Sequence, residues 1–230
     1  AAPAPLHGAL ARVALAAGRD VLVEKPLTLD LAEAEALVAE AHRHERILMV
    51  GHVLRYHPAF RALEARAQSG ALGELTELVA VRTNPVHTRT DERALWSLAP
   101  HDVSMVCALM GGAPVEVRAT GHEDLLSMVL RFSTGALAHL HTSWLDRDKR
   151  RLLTVVGRRG VVVFDDAHEQ HKLRSYAAPG EPSEVLAYAA IEPLFAEQSH
   201  FVACVRTRTP PLSDGAEALR VMRVLVAASE

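Results

Sequence analysis

Lysine is scarce in this 230-residue chain: of 25 basic residues only Lys25, Lys149 and Lys172 are lysines, and arginine supplies the rest. Arginine does not give up its proton in a protein, whereas a partly desolvated lysine titrates near neutrality, so a lysine set among ionisable neighbours points to proton transfer. Cysteine is scarce too. Cys107 and Cys204 lie in apolar stretches with helical spacing, which favours buried free thiols over a disulfide or metal pair and fits a reducing, cytoplasmic compartment. No apolar run approaches the ~20 residues that span a bilayer, and the amino terminus lacks a charged region followed by an apolar one, so no membrane partner is expected. A net charge of -3, a pI near 6.5 and the lack of any lysine or arginine block leave no basic footprint for nucleic acid. The expected partner is a small molecule. The chain also has no Gly-x-Gly-x-x-Gly turn, no internal repeat and no low-complexity tract. Its 13 histidines are scattered, and His168 and His171 stand one residue short of the helical zinc spacing, so no metal is expected.

What is present, 49% hydrophobic and 23% charged residues, suffices for one large core or two smaller ones. Val21-Leu22-Val23, entered through Gly18-Arg19-Asp20 and stopped by Pro26, reads as a short strand buried on both faces. Glu24 and Lys25 sit at its carboxyl end, and in open parallel α/β sheets the ligand crevice lies outside the carboxyl ends of the strands. Ahead of it the spacing predicts an Ala-rich helix over 6–17 stopped by Gly18. Behind it a helix opened by Thr28 or Asp30 should run to about His44 on the repeat Leu31, Ala34, Leu37, Val38 and Ala41. Residues 47–50 read as a second buried strand with His52 beyond its end, and 58–68 as a helix ending before Gly70.

From Leu75 the pattern changes. Strands are expected at 75–82, 115–121, 125–132, 136–144, 152–156, 161–165 and 172–176, joined by turn signals such as Ser133-Thr134-Gly135. This is a mostly antiparallel sheet, interrupted by a helix over 100–110 and followed by a loop at 179–183 and helices over 193–207 and 214–228. Along 136–144, Leu137, His139, His141 and Ser143 fall on one face and Ala138, Leu140, Thr142 and Trp144 on the other. Neither face is fully polar, and a sheet covered on one side only would leave an apolar patch of the kind that marks an interface.

His7, Ala17-Gly18, the run Val21 to Pro26, Ile47 to His52, Arg55-Tyr56-His57-Pro58, Gly70-Ala71-Leu72-Gly73, Trp96 to His101 and Pro210 to Asp214 together resemble the Gfo/Idh/MocA family of NAD(P)-dependent oxidoreductases. The likeness covers essentially the whole chain. It implies an α/β plus α+β fold. An incomplete Rossmann-like parallel sheet, residues 1–72, would precede a mostly antiparallel sheet domain with helices on one face, residues 73–230, that binds substrate and oligomerises. Ala1 to His7 looks like the family's loop after its fourth strand, so two βαβ units, roughly 60 to 75 residues, are expected to precede it.

The resemblance also implies NAD or NADP as cofactor and Lys25 as the catalytic residue, with Pro26 shaping the loop beside the nicotinamide. Pro3, His7, Glu24 and His52 would join them on the cofactor side. Arg55, Tyr56, Trp96, Ser97 and His101 would face the substrate. In many relatives an aspartate stands four residues before the histidine matching His101; here that position holds Ser97. At a helix start, free amide groups favour a neutral imidazole that can accept a proton, while Asp102 reads as a cap or dipole partner. The ordinary alternatives are a solvated Lys25, a His101 bonded to backbone, a strand-end His52, a surface Arg55 and a Tyr56 that simply packs. The implied reaction moves a hydride between the nicotinamide and a hydroxyl carbon of a sugar or polyol. Lys25 and His101 would take the proton and Glu24 would help set the lysine's charge. The segments 96–101, 192–194 and 210–214 look most like the branch acting on nucleotide-linked amino sugars, such as UDP-N-acetylglucosamine 3-dehydrogenases. A myo-inositol or simple sugar dehydrogenase, or a non-catalytic oligomerisation or binding module, are the alternatives. Relatives commonly pair through the sheet, so a twofold, face-to-face homo-oligomer is expected.

Overall fold

The structure, a computed structural model, describes residues 2–85, 93–177 and 182–230. A single 3-10 turn, Ala4–Leu6, leads into α1 (His7–Ala16), and the chain leaves it through Gly18 at φ +71°, where a side chain would be strained. Next come β1 (Val21–Glu24), α2 (Leu31–Arg43) and β2 (Leu48–Gly51). The two strands pair in parallel, with Val23 opposite Val50 and Glu24 opposite Gly51. Of the two cap candidates for α2, Asp30 takes the role: its Oδ1 accepts from Glu33 N at 2.7 Å, while Thr28 Oγ1 donates to Asp30 O at 2.6 Å. α3 (Pro58–Gln68) is capped by His57, whose Nδ1 accepts from Ala59 N at 3.1 Å.

The second half forms one eight-stranded sheet. β3 (Leu75–Thr83), β4 (Glu116–His122), β5 (Leu125–Arg131), β6 (Leu137–Ser143), β7 (Arg150–Gly157), β8 (Gly160–Asp165), β9 (Leu173–Tyr176) and β10 (Glu184–Val185) lie in the order β10-β9-β8-β7-β3-β6-β5-β4. Every neighbouring pair is antiparallel except β3 and β6. A parallel pair cannot be closed by a hairpin, and the chain between β3 and β6 carries α4 (Ala94–Ser97) and α5 (Ala99–Leu109) across the sheet. The single helix expected over 100–110 is thus two: Pro100 has no N–H to give the preceding turn, so it sits in the first turn of a fresh helix. The expected loop at 179–183 falls partly outside the described residues. α6 (Pro193–Thr207) and α7 (Gly215–Ser229) follow.

Two cores result. Phe60, Leu63, Met105, Val224 and Leu225 from the helices meet Leu78, Ala80, Leu140 and Val155 of the sheet, while Leu15, Leu37, Val23, Val50 and Met222 enclose the parallel pair. Each fully buried aliphatic or aromatic side chain is worth roughly 1.5–3 kcal/mol. α7 supplies residues to both cores, and Trp96 packs against both. Before α7 the chain runs along β2, where Val50 N donates to Ser213 O at 2.9 Å. On the large sheet Ala138, Leu140 and Thr142 are buried, whereas Leu137, His139 and His141 are half-exposed. Their neighbours in register on that outer face are Glu77, Val79 and Val81 of β3 and Arg131, Val129 and Ser127 of β5, none of them buried, so the face mixes apolar, polar and charged side chains. Both cysteines are buried free thiols.

Candidate functional site

β1 ends at Glu24, and Lys25 is joined to Pro26 by a cis peptide. The turn is tied down by His7 of α1: Nδ1 lies 2.7 Å from Pro26 O and Nε2 2.9 Å from Ala2 O. These two contacts draw the start of the chain over the turn, and beside it lies a cavity of about 530 Å³ lined by Ala2, Pro3, His7, Glu24, Lys25 and Trp96 among others. Lys25 Nζ donates to Ser97 O at 3.0 Å. Ser97 ends α4, and His101 follows four residues on in the first turn of α5.

His101 is only partly exposed, and its Nδ1 is buried without a hydrogen-bond partner among the described residues. Burial first, then the positive charges of Arg82 and Lys25 and the nearby His52, hold its pKa well below the usual imidazole range. The ring is neutral at physiological pH. Asp102, expected as a cap or dipole partner, does something else: Oδ2 and Oδ1 accept from Arg82 Nε and Nη2 at 2.9 and 2.8 Å, with both residues buried. The reason is direction, since the side chain leaves the first turn of α5 toward the sheet, where β3 presents Arg82.

Of the expected site residues, Pro26, His52, Arg55, Tyr56, Ser97 and His101 are not among those lining the cavity, and three of these form a network of their own. His52 Nδ1 is 2.7 Å from Glu217 Oε2, and Arg55 donates to Glu217 Oε1 at 3.4 Å and Glu64 Oε1 at 3.3 Å. Tyr56 Oη pairs with Ser213 Oγ at 2.7 Å and accepts from Ser213 N at 3.2 Å; burial pushes its pKa up. All three are buried, and none lines the Lys25 cavity. They pin the start of α7 and the segment before it against β2. The surface-arginine alternative gives way to burial, and both Arg55 and Tyr56 are held in this interior network. Ser97 contributes its backbone carbonyl rather than its side chain. His168 and His171 sit in a turn, where His168 Nδ1 accepts from His171 N at 3.1 Å.

Sequence reasoning passed over Arg82 and Glu217. The signal for Arg82 was its register with Leu78 and Ala80, a charge at an inward position of an alternating strand. For Glu217 it was the spacing Asp214-x-x-Glu217 of a capping box; Asp214 Oδ1 does accept from Glu217 N at 2.8 Å, but nothing local says that the glutamate turns toward residues 52 and 55.

Residues 1–52 match the oxidoreductase family with an NAD-binding Rossmann fold, and residues 60–163 match the GFO/IDH/MocA C-terminal domain. The chain is also 30% identical over 233 residues to the UDP-N-acetylglucosamine 3-dehydrogenase of Acidithiobacillus ferrooxidans, covering 96% of this chain and 73% of that protein. It belongs to the Gfo/Idh/MocA oxidoreductase family. As a Gfo/Idh/MocA member it is an NAD(P)-dependent dehydrogenase. D-apiose dehydrogenase of Paraburkholderia graminis is 26% identical, with 99% of this chain and 68% of that protein covered. Among solved structures, an oxidoreductase from Magnetospirillum magnetotacticum superposes with a TM-score of 0.89 at 34% identity, covering 98% of this chain and 77% of that one.

The residues present fit the reactive end of a nicotinamide cofactor. The cavity opens where β1 and β2 end, its walls include Pro3, Pro5 and Trp96, which suit a flat ring, and Lys25 stands at its edge. The Gly-x-Gly-x-x-Gly turn that cradles the diphosphate of such cofactors is not in this sequence.

Proposed function

We propose that the protein oxidises a hydroxyl carbon of a sugar, or reduces the corresponding ketone, with Lys25 as the proton-transfer group. The observation that carries this reading is the placement of Lys25: it lines a cavity of about 530 Å³, its Nζ is 3.0 Å from Ser97 O, and its charge bears on a neutral His101. The bound nicotinamide supplies the hydride acceptor. Pro3, His7, Glu24 and Trp96 would form its walls, with Pro26 in the turn after Lys25 and His52 beside Pro26. Lys25, as the free amine, takes the hydroxyl proton as the carbon–oxygen double bond forms, and returns it in the reverse direction. Ser97 O aims Nζ, and Glu24 offsets the ammonium that forms. His101, held neutral, acts as a hydrogen-bonding group that orients the hydroxyl rather than as the principal base.

The substrate reading is a nucleotide-linked amino sugar, supported by the relative from A. ferrooxidans. Residues 1–72 would serve the cofactor and 73–230 the substrate. The half-exposed outer face of the large sheet, where Val79, Val81, Val129 and Leu137 stand among polar and charged side chains, supports a homo-oligomer built on a twofold sheet-to-sheet contact, and the buried free thiols a cytoplasmic setting. The experiment is direct. UDP-N-acetylglucosamine, myo-inositol and D-apiose are each offered with NAD or NADP while nicotinamide fluorescence is followed. Reduction with the first and not the others is the expected result; turnover of myo-inositol or D-apiose alone moves the substrate class, and no turnover with any sugar overturns the reading.

A further inference from the structure

Two arginines stand side by side where the large sheet meets the start of α5. Arg82 of β3 pairs in register with Arg151 of β7, so both side chains leave the same face of the sheet. Like charges directly opposite one another on neighbouring strands destabilise a sheet, and here each arginine is answered by a carboxylate. Arg82 has Asp102. Arg151 Nη1 donates to Asp166 Oδ2 at 3.1 Å, just beyond the end of β8. Asp166 is shared, however. Lys172 Nζ donates to its Oδ1 at 2.9 Å, and His57 Nε2, the ring nitrogen that keeps the proton because Nδ1 accepts from Ala59 N, stands 3.4 Å from the same oxygen. Along this row the cations Arg82, Arg151 and Lys172 face the carboxylates Asp102 and Asp166, which leaves one positive charge over. Arg151 is its exposed member: its side chain is 39% exposed, against 7% for Arg82 and 21% for Lys172. Only Nη1 of its guanidinium is bonded among the described residues.

A chain of contacts joins this row to the reaction. Asp102, which holds Arg82, follows His101 in the first turn of α5, and His101 lies four residues beyond Ser97, whose carbonyl holds Lys25. The charges of Arg82, Lys25 and Arg151 all reach His101. Arg151 is entered from a basic turn, Arg147-Asp148-Lys149-Arg150, too short to be a nucleic-acid patch. Thr83, the residue after Arg82, fixes that turn: its Oγ1 donates to Asp148 O at 2.5 Å and accepts from Arg150 N at 3.0 Å. Consecutive residues of β3 thus hold the start of α5 and the basic turn at the same end of the sheet. Arg150 is matched by Asp148 at 3.5 Å, while Arg147 and Lys149 are exposed and have no ion pair among the described residues. We propose that Arg151, with Lys149 ahead of it, is the subsite for the diphosphate of a nucleotide-linked sugar, whose hydroxyl carbon is thereby set toward Lys25. This rests on the reading of the substrate as a nucleotide-linked sugar. The planar fork of a guanidinium meets two phosphate oxygens at once, and the lysine adds a point charge. A neutral sugar brings nothing that matches the spare positive charge. The cofactor's own diphosphate has the same chemistry, so the test separates the two sources.

Calorimetric titration of the full-length protein with UDP, inorganic phosphate and NADH tests this without turnover, beside steady-state kinetics with UDP-N-acetylglucosamine. Wild type should bind UDP more tightly than inorganic phosphate. Arg151→Met should weaken UDP by about tenfold or more and Lys149→Met by about threefold, with NADH affinity kept within about twofold in each. Arg151→Lys, which keeps the charge and loses the fork, should fall between Arg151→Met and wild type. In turnover the KM for UDP-N-acetylglucosamine should rise by a larger factor than kcat falls. Lys149 is exposed, so its variant should fold even if the loss of a partner for Asp166 unfolds Arg151→Met. Equal UDP affinity in wild type and the variants, or a wild type that binds no UDP, overturns the subsite. Inorganic phosphate bound as tightly as UDP reduces it to a simple anion site, and a parallel loss of NADH affinity gives the basic groups to the cofactor; both results overturn it as well. Sugar oxidation that depends on Lys25, with UDP binding indifferent to Arg151, removes the subsite and leaves the Lys25 reading standing. UDP binding that depends on Arg151, without turnover of any sugar, does the reverse.

Discussion

Substituting Asp102→Asn should cost this protein more than almost any other single polar change. Arg82 is 6% exposed and Asp102 1% exposed, and the guanidinium meets the carboxylate through two bonds of 2.9 and 2.8 Å. Asparagine keeps the shape but removes the charge and turns one acceptor into a donor aimed at another donor. Arg82 then stays in the interior without a counter-charge. Removing one partner of a buried pair typically costs about 3–5 kcal/mol. In a chain of this length each kcal/mol moves the unfolding temperature by about 2–4 °C, so a fall of about 6–20 °C is expected. Urea unfolding should show a lower midpoint at an unchanged slope. The double change Arg82→Met with Asp102→Leu is the control: with both charges gone, both desolvation costs vanish, and stability should return to within about 2 kcal/mol of wild type. A loss below about 1 kcal/mol for Asp102→Asn, or a double variant no better than the single, would refute the reasoning, because either result means that the pair is not held by desolvated charge.

Lys25→Met should lower turnover by about a hundredfold or more while leaving cofactor affinity within a few fold; turnover within tenfold of wild type removes Lys25 from the mechanism. Because the pKa of His101 is depressed, the unfolded chain takes up a proton that the folded one refuses as pH falls below about 6.5, so stability should decline there and His101→Asn should soften that decline. The same neutrality predicts no acid limb near pH 6.5 in kcat/KM from this residue, and a limb removed by His101→Asn would count against it. Gly157→Ala would place a Cβ 2.2 Å from Leu72 O, a backbone atom that cannot step aside; a loss above about 2 kcal/mol in denaturant is expected. The proposed sheet-to-sheet oligomer predicts that Val79→Lys with Val129→Lys on the outer face lowers the sedimentation coefficient to that of a monomer; a wild type that already sediments as a monomer, or an oligomer undisturbed by the change, refutes that contact.

The elements were legible where one local signal governs them. Proline at 26 stops β1, glycine at 18 releases α1, and Asp30, His57 and Asp214 cap helices through bonds to residues two or three positions on. Pro100 was visible as well, but a proline says only that a helix restarts, not that a separate turn, Ala94–Ser97, precedes it. The cavity was legible in part because Lys25 and Glu24 follow from strand polarity. The roles of His52, Arg55 and Tyr56 were not, because what claims them lies 165, 162 and 157 residues away at Glu217 and Ser213. Periodicity reports which face of an element is apolar; it carries no information about which distant carboxylate a buried cation will find.

Since α7 is stitched into both cores, the order in which the chain is made has a consequence. His52 must wait for a partner 165 residues further on. At the usual ~5–20 residues per second of synthesis, roughly 8 to 33 seconds pass between the two. Throughout that interval Val50 and its neighbours lack the cover that Ala218 and Met222 will provide. A nascent chain of this kind leaves an apolar strand uncovered for as long as the ribosome takes to reach Glu217.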